Sequence, residues 1–275
     1  MKVAISGASG FVGTALSKSF DDVVTVSRSD FESGNLDKIK DCDVVINLAG
    51  APIIKRWSDE YKKELYSSRI DTTKALVEAI KDSNVKHFIS TSAVGFYPED
   101  KACDEQSCSG GGDDFLASLC KDWESEAKKA SVETAIVRFG IVLDSGGGAL
   151  AQMYTPFSLG LGGPIGDGRS WFSWIDLEDL VALFHFIIDK KLSGTYNATA
   201  PNPVLNSEFT KAFAKVLKRP AFLPLPKFAL KMIFSEGATV LTGSKRVYPK
   251  ALEAEGFTFS CSTIDQCLQK NYADK

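Results

Sequence analysis

Short apolar runs alternate with longer amphipathic stretches over the first half of the chain, the rhythm of strands and helices taking turns in a parallel sheet. Met1 to Ser6 predicts a first strand and Gly10 to Phe20 its helix, and Val23 to Ser27 predicts a second strand. Val44 to Leu48 is almost wholly apolar, as a strand covered on both faces must be. Ser58 to Ser83 carries Leu65, Ile70, Leu76, Val77 and Ile80 among charges, the pattern of an amphipathic helix. A strand over Lys86 to Ser92, a helix over Asp114 to Ala130 and a strand over Thr134 to Leu143 continue the series.

The texture then changes. Nine of the 22 glycines fall between Gly140 and Gly168, which predicts loops around a short helix near Leu150 to Leu159. Asp176 is placed to cap a helix running to about Asp189. Five of the ten prolines lie between Pro201 and Pro226, marking a change of organisation near residue 200. Two amphipathic helices are expected beyond it, Asn206 to Leu217 and Pro226 to Ser235.

Composition narrows the function classes. The chain has 275 residues, 44% hydrophobic and 24% charged, with a formal net charge of -3, so no broad electrostatic footprint for nucleic acid is expected. The apolar run after Lys2 is too short for a signal peptide, and no run approaches the roughly 18 residues of a membrane span. An intracellular, cytoplasmic protein with a small-molecule substrate and no membrane partner is the expectation; oligomeric state leaves no trace. The six cysteines include no Cys-x-x-Cys pair and read as free thiols. With only two histidines beside them, no metal site is expected.

The strongest local signal is Gly7-Ala8-Ser9-Gly10-Phe11-Val12-Gly13, between the first strand and its helix. Glycine there lets the backbone turn sharply and approach a pyrophosphate, whose charge meets the helix N-terminal N–H groups. Gly7, Ser9, Gly10, Phe11, Val12 and Gly13 are therefore candidate cofactor-binding residues in a Rossmann-type α/β fold with a doubly wound parallel sheet. The expected organisation is a dinucleotide-binding domain over 1–200, with a loop-rich insertion at about 144–173, and a small, mostly helical substrate-side segment over 201–275. About 20 residues past the glycines, where an NAD site places a carboxylate, stand Ser27 and Arg28. A hydroxyl and a guanidinium suit the 2′-phosphate of NADP(H). Asp30 opposes this reading if its side chain turns inward, and Arg28 has the alternative of being a solvated loop charge.

The chain resembles the extended short-chain dehydrogenase/reductase superfamily, and more narrowly its atypical epimerase-family proteins with a short uncharacterised C-terminal domain. The resemblance spans essentially the whole length. It rests on Asn47-Leu48-Ala49-Gly50, Arg56-Trp57, Ser68-Arg69, Ser92-Ala93-Val94-Gly95-Phe96-Tyr97, Trp123-Glu124 and Arg138-Phe139-Gly140, continuing through Trp174-Ile175-Asp176 and Asn197-Ala198-Thr199-Ala200-Pro201-Asn202. It implies that Leu48, Ala49 and Gly50 run beneath the dinucleotide, and that Glu64, Arg69 and Arg138 reach toward it. Leu48 and Ala49 as plain core, and Glu64 and Arg69 as surface ion-pair formers, are the alternatives.

Ordinary members of that superfamily use a Tyr-x-x-x-Lys pair and an upstream Ser to move a proton while hydride transfers. Ser92 matches the serine, but Leu116 and Cys120 stand at the tyrosine and lysine positions. The candidate catalytic residues are accordingly Ser92, with Tyr97 or Cys120 as substitute proton donors. Tyr97 reads equally as a cleft wall, and Cys120 as a buried small hydrophobe. An NADPH-dependent oxidoreductase is the leading expectation; a catalytically silent NADP(H)-binding sensor or scaffold, and a nucleotide-sugar epimerase, are the alternatives.

Overall fold

The computed structural model describes residues 1–273. The chain opens with β1 (Lys2–Ser6), α1 (Phe11–Ser19), β2 (Asp22–Val26), α2 (Arg28–Ser33), β3 (Val44–Asn47) and α3 (Asp59–Lys81). It continues through β4 (His87–Ala93), β5 (Ala102–Cys103), α4 (Phe115–Ala127), β6 (Glu133–Phe139), β7 (Ile141–Asp144) and α5 (Gly148–Ser158). Then follow β8 (Trp171–Phe172), β9 (Trp174–Asp176), α6 (Leu177–Asp189), β10 (Gly194–Ala198), β11 (Val204–Leu205) and α7 (Asn206–Leu217). The tail holds α8 (Lys227–Phe234), α9 (Thr239–Thr242), β12 (Arg246–Val247), α10 (Lys250–Ala254) and α11 (Ile264–Tyr272).

Six parallel strands form the central sheet in the order β2-β1-β3-β4-β6-β10. The period of two sorts each strand between two cores. Val3, Ile5, Val44 and Ile46 point to a face covered by Leu180, Leu183, Phe184 and Ile187 of α6. Ala4 and Val45 point to the other, under Leu76, Val77 and Ile80 of α3. The chain leaves β1 for one neighbour, β2, and returns to the other side of β1 as β3, so the sheet has its topological switch point between β1 and β3.

The structure corrects two expectations and adds two elements that the sequence pattern did not announce. The strand foreseen over Thr134 to Leu143 is two strands: β6 stays in the central sheet, while β7 pairs with β9 in a separate one. Gly140 makes the break, crossing so close to the Ser173 carbonyl oxygen that a Cβ would lie 2.8 Å from it. The sixth strand, β10, has the polar-rich sequence GTYNA and no apolar alternation to announce it. The short helix α2 is set by a capping box between Ser27 and Asp30. Finally, Cys103 and Cys108 are joined in a disulfide, where free thiols were expected; Cys42, Cys120, Cys261 and Cys267 remain free and buried. The local cause is a turn in which the Asp104 carboxylate accepts from the Gln106 and Ser107 N–H groups at 2.9 and 2.7 Å, folding the loop back on itself.

The tail is laced into what precedes it. β12 pairs with β5, β11 with β8, and Leu252 and Phe257 enter the same core as α6. A further core unites Leu150 and Phe157 of α5, Phe209 and Phe213 of α7, and Leu268 and Tyr272 of α11.

Candidate cofactor and active site

The glycine turn stands at the carboxyl end of β1, beside the switch point. Gly7 has φ +73°, a left-handed conformation, and its N–H-accepting carbonyl takes a bond from Gly10 at 3.0 Å. A Cβ at Gly7 would lie 2.9 Å from the Leu48 carbonyl, and one at Gly13 only 2.1 Å from the Gly7 oxygen. The turn, the start of α1 and the end of β3 are thus in backbone contact, which no larger side chain permits. Ser9 and Gly10 are exposed at the tip; Phe11 and Val12 are half-buried, and the Phe11 ring lies against Gly147 and Gly148. The first N–H groups of α1 have no partner within the helix and face this open end, which fits a diphosphate.

Leu48, Ala49 and Gly50 form the facing wall. The Leu48 N–H donates to Ser6 and the Ala49 N–H to the Asn47 side chain at 3.3 Å. Asn47, to which no sequence pattern gives a role, is fully buried: it accepts from the Ser6 hydroxyl at 2.7 Å and donates to Thr73 at 2.8 Å. Arg69 lies directly behind Gly50, where a Cβ would come within 3.0 Å of its guanidinium carbon. Its guanidinium donates to the Ala51 and Leu65 carbonyls at 3.0 and 3.1 Å and stands 5.4 Å from the Trp123 ring, while burial pushes its pKa down. Arg69 therefore props the wall from behind. Glu64 does not join it: five residues earlier on α3, it points about 140° away around the helix and is exposed.

At the end of β2, Ser27 and Arg28 are exposed. Asp30 turns toward Ser27, accepting from its N–H at 2.7 Å and its hydroxyl at 2.6 Å, and pairs with Lys38 at 2.8 Å. The Lys38 and Ser27 bonds hold its pKa down at about 2. Its charge is thereby compensated, while the Arg28 guanidinium has no partner among the described residues.

Ser92, Tyr97 and Arg138 meet in one buried network, with Cys120 beside it. Arg138 grips Glu124 with two bonds of 2.7 Å, and Ser92 donates to the same carboxylate at 2.8 Å. Arg138 also donates to the Tyr97 hydroxyl at 2.7 Å, which in turn donates to Asn197 at 2.9 Å. The Arg138 guanidinium lies 3.5 Å from the Phe96 ring centre. Four candidate residues are engaged or enclosed here. Arg138, 4% exposed, is paired with Glu124. Ser92 and Tyr97, 3% and 0% exposed, have their hydroxyl protons engaged. Burial raises the Tyr97 pKa to about 12 and that of the buried Cys120 thiol to about 11. Leu116 and Cys120 pack against Gly95, filling the space their positions command.

Glu124 and Asn197, which complete this network, were legible only as motif letters. The available signal was Glu124 one helical turn beyond Cys120 on an otherwise apolar face. Elsewhere, Phe172 stacks on Phe209 at 4.6 Å and Trp171 sits under Arg246 at 4.1 Å, and both rings are half-buried. Asp176, Asp179 and Cys261 come within 4.8 Å of one another, but the carboxylates already serve Lys270 and the backbone of Ser260 and Cys261.

A glycine turn and a facing backbone wall at the switch point of a doubly wound sheet define a dinucleotide-binding protein of Rossmann type. Residues 3–111 match the NAD dependent epimerase/dehydratase family and residues 225–270 a domain of unknown function, DUF1731. The epimerase family protein SDR39U1 homolog of Arabidopsis thaliana is 36% identical over 98% of this chain and 86% of its own length. The crystal structure of human epimerase family protein SDR39U1 (isoform2) with NADPH superposes with a TM-score of 0.93 at 31% identity, covering 100% of both chains. A nucleoside-diphosphate sugar epimerase of Corynebacterium glutamicum gives 0.77 at 33% identity, over 99% of this chain and 58% of that one. The chain belongs to the epimerase family of SDR39U1-like proteins.

Proposed function

We propose that the protein binds NADP(H) and is an NADPH-dependent oxidoreductase acting on a small molecule. The observation that carries this reading is the end of β2. There a free guanidinium, Arg28, stands beside a carboxylate, Asp30, that Lys38 and Ser27 have already compensated. A 2′-phosphate gains charge-assisted bonds from the first and meets no uncompensated charge on the second. The NADPH in the human relative's structure supports the same choice.

Bound NADPH supplies a hydride. The chain's own contribution is placement: the first turn of α1 would hold the diphosphate, and Arg69 stiffens the Gly50–Ala51 backbone that would face the dinucleotide. With Ser92, Tyr97 and Cys120 occupied or enclosed, water entering the cleft is the proton source this reading requires. The same occupancy favours a second reading, a catalytically silent NADP(H)-binding module. Nucleotide-sugar epimerisation draws on a relative's name but asks for proton transfer where Leu116 stands.

Calorimetric titration of wild type and Arg28→Ala with NADPH and NADH tests the cofactor assignment. Losing hydrogen bonds to a charged group costs about 1.5–3 kcal/mol, so NADPH should weaken roughly ten- to hundredfold and NADH little. Equal losses, or no heat from either cofactor in folded protein, refute it. NADPH oxidation across carbonyl, enone and imine panels then separates enzyme from silent binder.

A further inference from the structure

We propose that the surface built by residues 222–233 is a docking face for a bilayer of anionic phospholipid. Six large apolar side chains project from this short stretch: Phe222, Leu223, Leu225, Phe228, Met232 and Ile233. Phe222, Phe228 and Met232 are 71%, 68% and 73% exposed, values of side chains that stand out from a surface and do not line a groove. Phe228 and Met232 are four residues apart on α8 and share one face, opposite the buried Leu230. The turn carrying Leu159 and Leu161, 68% and 59% exposed, adjoins them, because Leu223 and Leu225 donate to Gly162 and Pro164 at 3.2 and 2.8 Å. Isolated exposed apolar residues are ordinary; a contiguous group of this kind marks an interaction site.

Charge identifies the occupant. Between Glu208 and Glu236 the sequence contains no acidic residue but six basic ones, Lys211, Lys215, Lys218, Arg219, Lys227 and Lys231, in a chain whose net charge is -3. All six are exposed, and none forms an ion pair among the described residues. A second copy of the chain is a poor occupant: a two-fold interface sets the same patch against itself, bringing Lys227 and Lys231 against a second pair of like charges. An anionic leaflet answers both features, with headgroup phosphates for the cations and acyl chains for the projecting side chains. No helix among the described residues is long and apolar enough to cross a membrane. The expectation of no membrane partner came from the absence of a span; lying on a surface needs none.

The test is co-sedimentation of the full chain with vesicles of phosphatidylglycerol and phosphatidylcholine, against phosphatidylcholine alone. Binding should require phosphatidylglycerol and weaken strongly between about 0.1 M and about 1 M salt, as the screening length falls. Phe228→Ser combined with Met232→Ser should lower partitioning at least about tenfold, from the lost apolar burial, and Lys227→Glu with Lys231→Glu should lower it independently. Circular dichroism confirms that these surface variants keep the fold. No binding to anionic vesicles, or binding by both double variants equal to that of wild type, overturns the proposal. So does light scattering that shows a wild-type dimer abolished by Phe228→Ser with Met232→Ser.

Discussion

Removing one partner of the Glu124–Arg138 pair should destabilise the protein severely while leaving cofactor affinity intact. Glu124 and Arg138 side chains are 2% and 5% exposed, and the carboxylate receives three bonds of 2.7–2.8 Å from Arg138 and Ser92. Arg138→Met leaves a buried carboxylate with Ser92 and a distant Lys128, 3.9 Å away and on the surface, as its remaining partners. Breaking a buried pair from one side typically costs about 3–5 kcal/mol. For a chain of this size each kcal/mol lowers Tm by about 2–4 °C, so a drop of roughly 6–20 °C is expected. The double variant Glu124→Gln with Arg138→Met removes both charges and should cost less than the sum of the single changes, a coupling that a double-mutant cycle in urea reads directly. NADPH titration of each folded variant completes the assay. If Arg138→Met leaves the urea midpoint unchanged but weakens NADPH, Arg138 belongs to the cofactor groove and the buried-network account is wrong.

Two further outcomes follow from distances at the site. Gly13→Ala puts a methyl 2.1 Å from the Gly7 oxygen; overpacking of that kind costs about 1–3 kcal/mol, and the distorted turn should raise the NADPH Kd at least about tenfold by fluorescence titration, so unchanged binding would contradict the cradle. Cys120, its pKa raised by burial to about 11, stays a neutral thiol as pH rises through the ordinary range near 9 and ionises only beyond it; iodoacetamide should label it in urea and spare it in native protein at neutral pH, as mass spectrometry would detect, and rapid native labelling would reopen its candidacy as a proton donor.

Much of the fold is written in local sequence. Apolar runs at Val44 and Lys86, the glycine turn and the Asp176 cap are short-range signals, because strand period, backbone freedom and side-chain capping act over a few residues. The same locality explains the misses. GTYNA of β10 becomes a strand only because β6 offers an open edge to pair with, and Gly140 breaks a run only because Ser173 crosses there. Cys103 and Cys108 read as free thiols because their union depends on how the Asp104 turn closes.

By itself the sequence determined where a dinucleotide can be held and which side chains stand at the end of β2, since strand, turn and helix are contiguous in the chain. Only the tertiary structure decided which partners Ser92, Tyr97, Cys120 and Arg138 have. Their partners Glu124 and Asn197 arrive from other elements, and burial then determines whether a proton is available. Residue identity names the chemistry a side chain is capable of. Whether that capacity faces a ligand or is consumed by a neighbour is a question of long-range packing, which no local pattern encodes.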